Sequence, residues 1–101
     1  MHYAICYDIE NDQLREKTAR TLLRHGTERV QKSVFVAPFM DKRAFQALVA
    51  ALEKLYARRP LATGDSLLVL PLRKESVADI RVFGHNNIHT ELREKKLKVI
   101  L

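Results

Sequence analysis

The sequence predicts an α+β fold in which two helices cover one face of a four-stranded antiparallel sheet. Three observations predict it. Short runs rich in β-branched and aromatic residues fall at 2–9, 28–37, 63–72 and 78–84. Between them, 13–25 and 42–58 place apolar residues at helical spacing. A length of 101 residues, 47% of them hydrophobic, supports one modest core and hence a single domain. No internal repeat or low-complexity stretch argues otherwise.

Each element has its own signals. "HYAICYDI" (2–9) reads as a strand with a buried middle, stopped by the polar cluster Glu10, Asn11 and Asp12. Asp12 is the expected N-cap of the first helix, whose Leu14, Ala19, Leu22 and Leu23 recur on one side, and Gly26 is the expected stop. The segment 28–37 reads as one strand. Alternation along it sets Val30, Lys32, Val34 and Val36 toward the helices, leaving Arg29, Gln31, Ser33 and Phe35 on the free face. The long helix 42–58 has Phe45, Leu48, Val49, Leu52, Leu55 and Tyr56 as its core stripe, Asp41 as cap and Pro60 as stop. "TGDSLLVLPL" (63–72) opens with turn chemistry and carries Pro71, which implies an edge or a strand end. "ADIRVFG" (78–84) is the expected fourth strand.

Taken together these elements suit a ferredoxin-like βαββαβ domain over 1–84. The remainder, 85–101, forms a C-terminal extension ending in "KLKVIL". An uncovered Val99, Ile100 and Leu101 would be an aggregation liability. An extra strand added to a sheet edge, in the same subunit or swapped to a partner, would cover them, which points to a homodimer. Gln31, Ser33 and Phe35 are then the expected dimer-interface residues, with Phe35 as apolar anchor.

Charge narrows the function. The net charge is +6 and the pI about 9.8. An excess of Lys and Arg can serve solubility alone, yet a basic domain also draws polyanions by counterion release. The distribution favours nucleic acid. Arg15, Lys17, Arg20 and Arg24 crowd the first helix, Arg58 and Arg59 close the second, and Arg93, Lys95, Lys96 and Lys98 fill the tail. No apolar run is long enough for a bilayer span, and "MHYAICYDIE" lacks the basic start and cleavage site of a signal peptide, so a cytoplasmic location and no membrane partner are expected. Cys6 is the single cysteine, set in an apolar strand as a buried thiol.

Asp8 is the strongest candidate for chemistry. It follows the apolar stretch "YAICY", so the strand delivers it to the rim of the sheet. A carboxylate there suits Mg²⁺ or Mn²⁺ with waters and phosphate oxygens, and a two-fold axis would add a second copy. A capping or hydrogen-bonded strand-end carboxylate is the structural alternative. "DIEND" lacks the Gly and the later Glu of a calcium loop. His85 and His89 stand four apart around Asn86 and Asn87, which favours loop histidines over a metal pair, and Ser33 shows no nucleophile context.

"YDI" at 7–9, Arg15 in the first turn of the helix, Gly26 at its end and above all "RVQKSVF" at 29–35 resemble CRISPR-associated protein 2, a small adaptation protein. The likeness is close over the first 40 residues and continues in pattern beyond them. It implies a ferredoxin-like homodimer that binds DNA or RNA and supports spacer integration with the CRISPR-associated integrase. It also implies a metal-dependent endonuclease, with Asp8 as the metal-binding and catalytic aspartate at the dimer axis and Arg15 or a neighbour on phosphate. Many members of that family have Glu after "SVF", where this chain has Val36. Two alternatives share the reading: a toxin-type ribonuclease of the virulence-associated protein D kind, and a non-catalytic DNA-bridging scaffold.

Overall fold

The computed structural model describes residues 1–92. The chain runs β1 (His2–Asp8), α1 (Asp12–Arg24), β2 (Glu28–Gln31), β3 (Val34–Ala37), α2 (Lys42–Arg58) and β4 (Ser66–Leu72), then the one-turn helices α3 (Lys74–Val77) and α4 (Ile88–Glu91). The first six elements are the expected βαββαβ order. The sheet is ordered β2-β3-β1-β4, and every neighbouring pair is antiparallel.

The order βαββαβ is that of the expected fold, but the segments read as strands and helices ran βαβαββ, and the assignment of two strands changes. The stretch 28–37 is a hairpin, β2 and β3, turning at Lys32 and Ser33, with a bulge between Arg29 and Gln31. The Ser33 carbonyl accepts the Tyr7 N–H at 3.1 Å, which ties the turn to β1. Nothing in "QKS" carries the Gly or Asn of a favoured hairpin turn, so the break is invisible to propensity. The segment 78–84 is not a strand. Asp79 N donates to Ser76 O and Ile80 N to Val77 O, so the chain leaves α3 through turns, and β4 has already completed the sheet.

The two faces of β3 are the reverse of those expected. Phe35 pairs with Ile5 on β1 and is 0% exposed, inside the cluster of Ile5, Tyr7, Leu14, Leu22, Leu48 and Leu52 beneath the helices. Val34 and Val36 pair with Cys6 and Ala4 and point the other way. Phe35 is therefore a core residue and cannot anchor a dimer interface. Burying a side chain of that size stabilises the fold by about 1.5–3 kcal/mol.

Local chemistry fixes the helix ends. Asn11, not Asp12, caps α1: its side chain accepts from Leu14 N, and Asp12 becomes the first helical residue. Gly26 follows the helix at φ 81°, a left-handed conformation that glycine adopts without strain. Asp41 caps α2 as expected. The two helices meet through Thr18 Oγ1 and Tyr56 Oη at 2.9 Å, and burial pushes the Tyr56 phenol above its ordinary value. After β4, residues 80–88 return beside β2 and β3, where Asn86 Nδ2 donates to the Val30 carbonyl at 2.6 Å. The expected C-terminal strand lies outside the described residues.

Candidate functional site

The register of β1 sorts the site by face. Tyr3, Ile5 and Tyr7 face the helices, while Ala4, Cys6 and Asp8 face the open side of the sheet. Across β4, Asp8 pairs with Ser66, Cys6 with Leu68 and Ala4 with Leu70. Leu68 and Leu70 are 55% and 44% exposed, so the open face carries an apolar strip with Asp8 at one end. Cys6 is half-buried there rather than in the core.

The Asp8 side chain is exposed, and its carboxylate has no hydrogen bond or ion pair among the described residues. The turn before β4 is built differently. Asp65 accepts from Glu10 N at 3.1 Å and from Ala62 N at 3.0 Å, so its carboxylate bridges the β1–α1 loop to that turn. No three His, Cys, Asp or Glu side chains cluster as a metal site among the described residues. One subunit thus offers a single hard oxygen ligand at the edge of an apolar strip.

The four predicted nucleic-acid residues divide. Arg15 is engaged by its own chain: Nη1 donates to the carbonyls of Ile9 and Glu10, both at 3.1 Å, and Nη2 pairs with Asp12. It clamps the loop that leaves Asp8. Arg20 pairs with Glu16 at 3.6 Å, and Lys17 and Arg24 are exposed. All four belong to the helical layer, so the cations and the Asp8 carboxylate occupy opposite sides of the sheet. Gln31 is exposed on the edge strand β2, and Ser33 is half-buried in the turn. His85 is an exposed loop residue and His89 lies exposed on α4. Lys54 stands four residues before Arg58 on α2, as Arg20 does before Arg24 on α1, a spacing legible in the sequence that the charge reading, which named Arg58 and Arg59, did not use.

The sequence pattern of the family described as CRISPR associated protein Cas2 matches residues 1–80. The chain belongs to the Cas2 family. It is 31% identical over 87 residues to "CRISPR-associated endoribonuclease Cas2 2" of Synechocystis, covering 86% of this chain and 88% of that protein. It is 38% identical over 93 residues to "CRISPR-associated endonuclease Cas2 2" of Thermus thermophilus, covering 91% and 90% of the two chains. The crystal structure of Streptococcus pyogenes Cas2 at pH 6.5 superposes with a TM-score of 0.65 over 83% of this chain and all of that one, at 20% identity, and shares its fold. Membership in the Cas2 family sets aside the virulence-associated protein D type of toxin. Among the described residues no helix is long and apolar enough to cross a membrane.

Proposed function

We propose that this Cas2-family protein is a cytoplasmic, Mg²⁺-dependent endonuclease acting on RNA or DNA as a homodimer. In the adaptation step it supports spacer integration with the CRISPR-associated integrase. The observation that carries the nuclease reading is the exposed, unpartnered Asp8 at the end of the apolar strip of Leu68 and Leu70. Two copies stacked through that strip bury its leucines and draw two Asp8 carboxylates toward one axis. The names of the relatives, endoribonuclease and endonuclease, support the same activity.

In this arrangement Asp8 from each subunit would hold the cation. When bound, Mg²⁺ supplies a lowered water pKa and a counter-charge for the phosphate undergoing attack. The protein's own part is positional. Arg15 fixes the carbonyls of Ile9 and Glu10, and Asp65 fixes Glu10 N, so the loop leaving Asp8 is held from both sides. The β1 ladder fixes Asp8 opposite Ser66. Such rigid placement is what a two-carboxylate site requires.

The test is cleavage of labelled single-stranded RNA and duplex DNA across a Mg²⁺ and Mn²⁺ titration. Wild type should cut in proportion to metal, and Asp8→Asn should lose cutting while keeping its fold. Persistent cutting by purified Asp8→Asn overturns the proposal. A second reading, a DNA-bridging scaffold, is favoured by the placement of the cations on the helical side, away from Asp8. On that reading spacer acquisition survives Asp8→Asn and fails on charge reversal at Arg20.

A further inference from the structure

The end of β1 remote from Asp8 carries a feature that the nuclease reading leaves unused. His2 pairs with Leu72 on β4 as Asp8 pairs with Ser66, so the two stand at opposite ends of one strand, about 20 Å apart at the usual rise per residue. Beside His2 opens a hollow of about 530 Å³. Its apolar lining is Met1, Phe39 and Leu72, of which Met1 and Phe39 are 58% and 49% exposed. Arg73, Lys74 and Glu75 complete it, all exposed and none held in an ion pair among the described residues. Phe39 is placed there by its backbone. Among the described residues it alone, apart from glycines, has a positive φ, and its N–H is tied to the buried His2. The next residue, Met40, is buried, so the turn sends one side chain inward and puts the Phe39 ring out. A strained backbone that fixes an aromatic ring at the surface marks a contact site.

We infer that this hollow docks a peptide segment of a partner protein in which a large apolar side chain is flanked by Asp or Glu. The apolar side chain packs against Phe39, Met1 and Leu72, and the carboxylates meet Arg73 and Lys74. Aromatic, Met and Arg side chains are the types enriched at protein interfaces, and a hollow of this size takes a few side chains. Two cations against the single carboxylate of Glu75 select an acidic segment. Pro71 offers no N–H at this end of β4, so recognition runs through side chains rather than strand addition. Single-stranded nucleic acid suits the hollow less well. Such strands are gripped by successive rings, whereas Phe39 is the one exposed ring here, and Met1 and Leu72 would leave the polar edge of a base unpaired. The inference goes beyond the nuclease reading and does not depend on it.

The experiment pans a phage-displayed library of random dodecapeptides against the purified protein and measures the enriched peptides by fluorescence anisotropy. Enriched sequences should set Leu, Ile, Met, Phe or Trp beside Asp or Glu. Phe39→Asn keeps the N–H given to His2 and suits a left-handed backbone, so it should melt within a few degrees of wild type while peptide affinity falls at least about tenfold. Phe39→Trp restores a ring and should bind within about threefold of wild type. Arg73→Glu with Lys74→Glu should weaken binding at least about tenfold, and Glu75→Gln should tighten it by about threefold. No enriched sequence, or binding that survives Phe39→Asn, overturns the inference. Enriched peptides without acidic residues, or indifference to the charge reversal, overturn the acidic character of the partner. A labelled single-stranded oligonucleotide that binds wild type and is lost in Phe39→Asn overturns the choice of a peptide. A change of oligomeric state in Phe39→Asn, seen by light scattering, would give the hollow to a second copy of this chain and also overturn it. Nucleic-acid cleavage assayed in parallel should be the same in wild type and Phe39→Asn, and its absence from wild type would defeat the nuclease reading alone.

Discussion

His2 Nδ1 accepts the backbone N–H of Phe39 at 3.0 Å, and Phe39 holds a positive φ of 53°. A non-glycine residue in that region needs support, and here the buried imidazole supplies it, with the two rings in edge contact at 4.5 Å. The bond requires a neutral ring, since a protonated Nδ1 donates instead of accepting.

A pH dependence follows. Burial, reinforced by the nearby terminal amino group, holds the His2 pKa below its ordinary value of 6.5. The unfolded chain therefore takes up the proton first as pH falls. Stability should be level above about pH 6.5, decline through the window between the unfolded and the lower folded value, and level off beneath it. Thermal melts between pH 7.5 and pH 4.5 check this. The decline should shrink in His2→Asn, and an equal decline in both proteins would assign it elsewhere.

Arg15 should act on stability as well as on nucleic acid. Arg15→Ala removes two bonds to the carbonyls of Ile9 and Glu10, at a cost of about 1–2 kcal/mol. Arg15→Lys should recover only part, because an ammonium lacks the planar fork that reaches both carbonyls and Asp12. Urea melts report the stability, and hydrogen exchange at Glu10 N reports the loop.

Phe35 and Leu68 should behave in opposite ways. Phe35→Ala opens a cavity in the monomer core and should cost about 3–5 kcal/mol. Leu68→Glu with Leu70→Glu alters exposed positions and should shift the stability of one subunit by less than about 0.5 kcal/mol. In light scattering the leucine pair should give a monomer with no cleavage although Asp8 is intact. A dimeric double variant would locate the interface elsewhere.

Much of this was legible in the sequence, for particular reasons. Asp41 and Pro60 bound α2 correctly, and Pro71 does mark an edge strand. Asp8 stands where the strand "YAICY" was expected to deliver it. The hairpin escaped because Lys32 and Ser33 are ordinary residues forced to turn by tertiary pairing, the Ser33 carbonyl to Tyr7 N. The alternation grouped Arg29 with Phe35 as the structure does, since the two pair across the hairpin, but nothing in that pattern says which of the two faces the helices cover. "ADIRVFG" has the composition of a strand, but β4 had already taken the sheet edge, so Ile80 and Val82 fold back beside Val30 and Val34 instead. The separation of cations from Asp8 could not be read at all, because it depends on which face of β1 the helices cover.

The central claim is that two Asp8 carboxylates, one from each subunit, share one cation. Mn²⁺ binding followed by electron paramagnetic resonance and calorimetry tests it directly in the wild-type protein and in Asp8→Asn. The account predicts one ion for every two chains and its loss in Asp8→Asn. One ion per chain, or binding that survives Asp8→Asn, would contradict it.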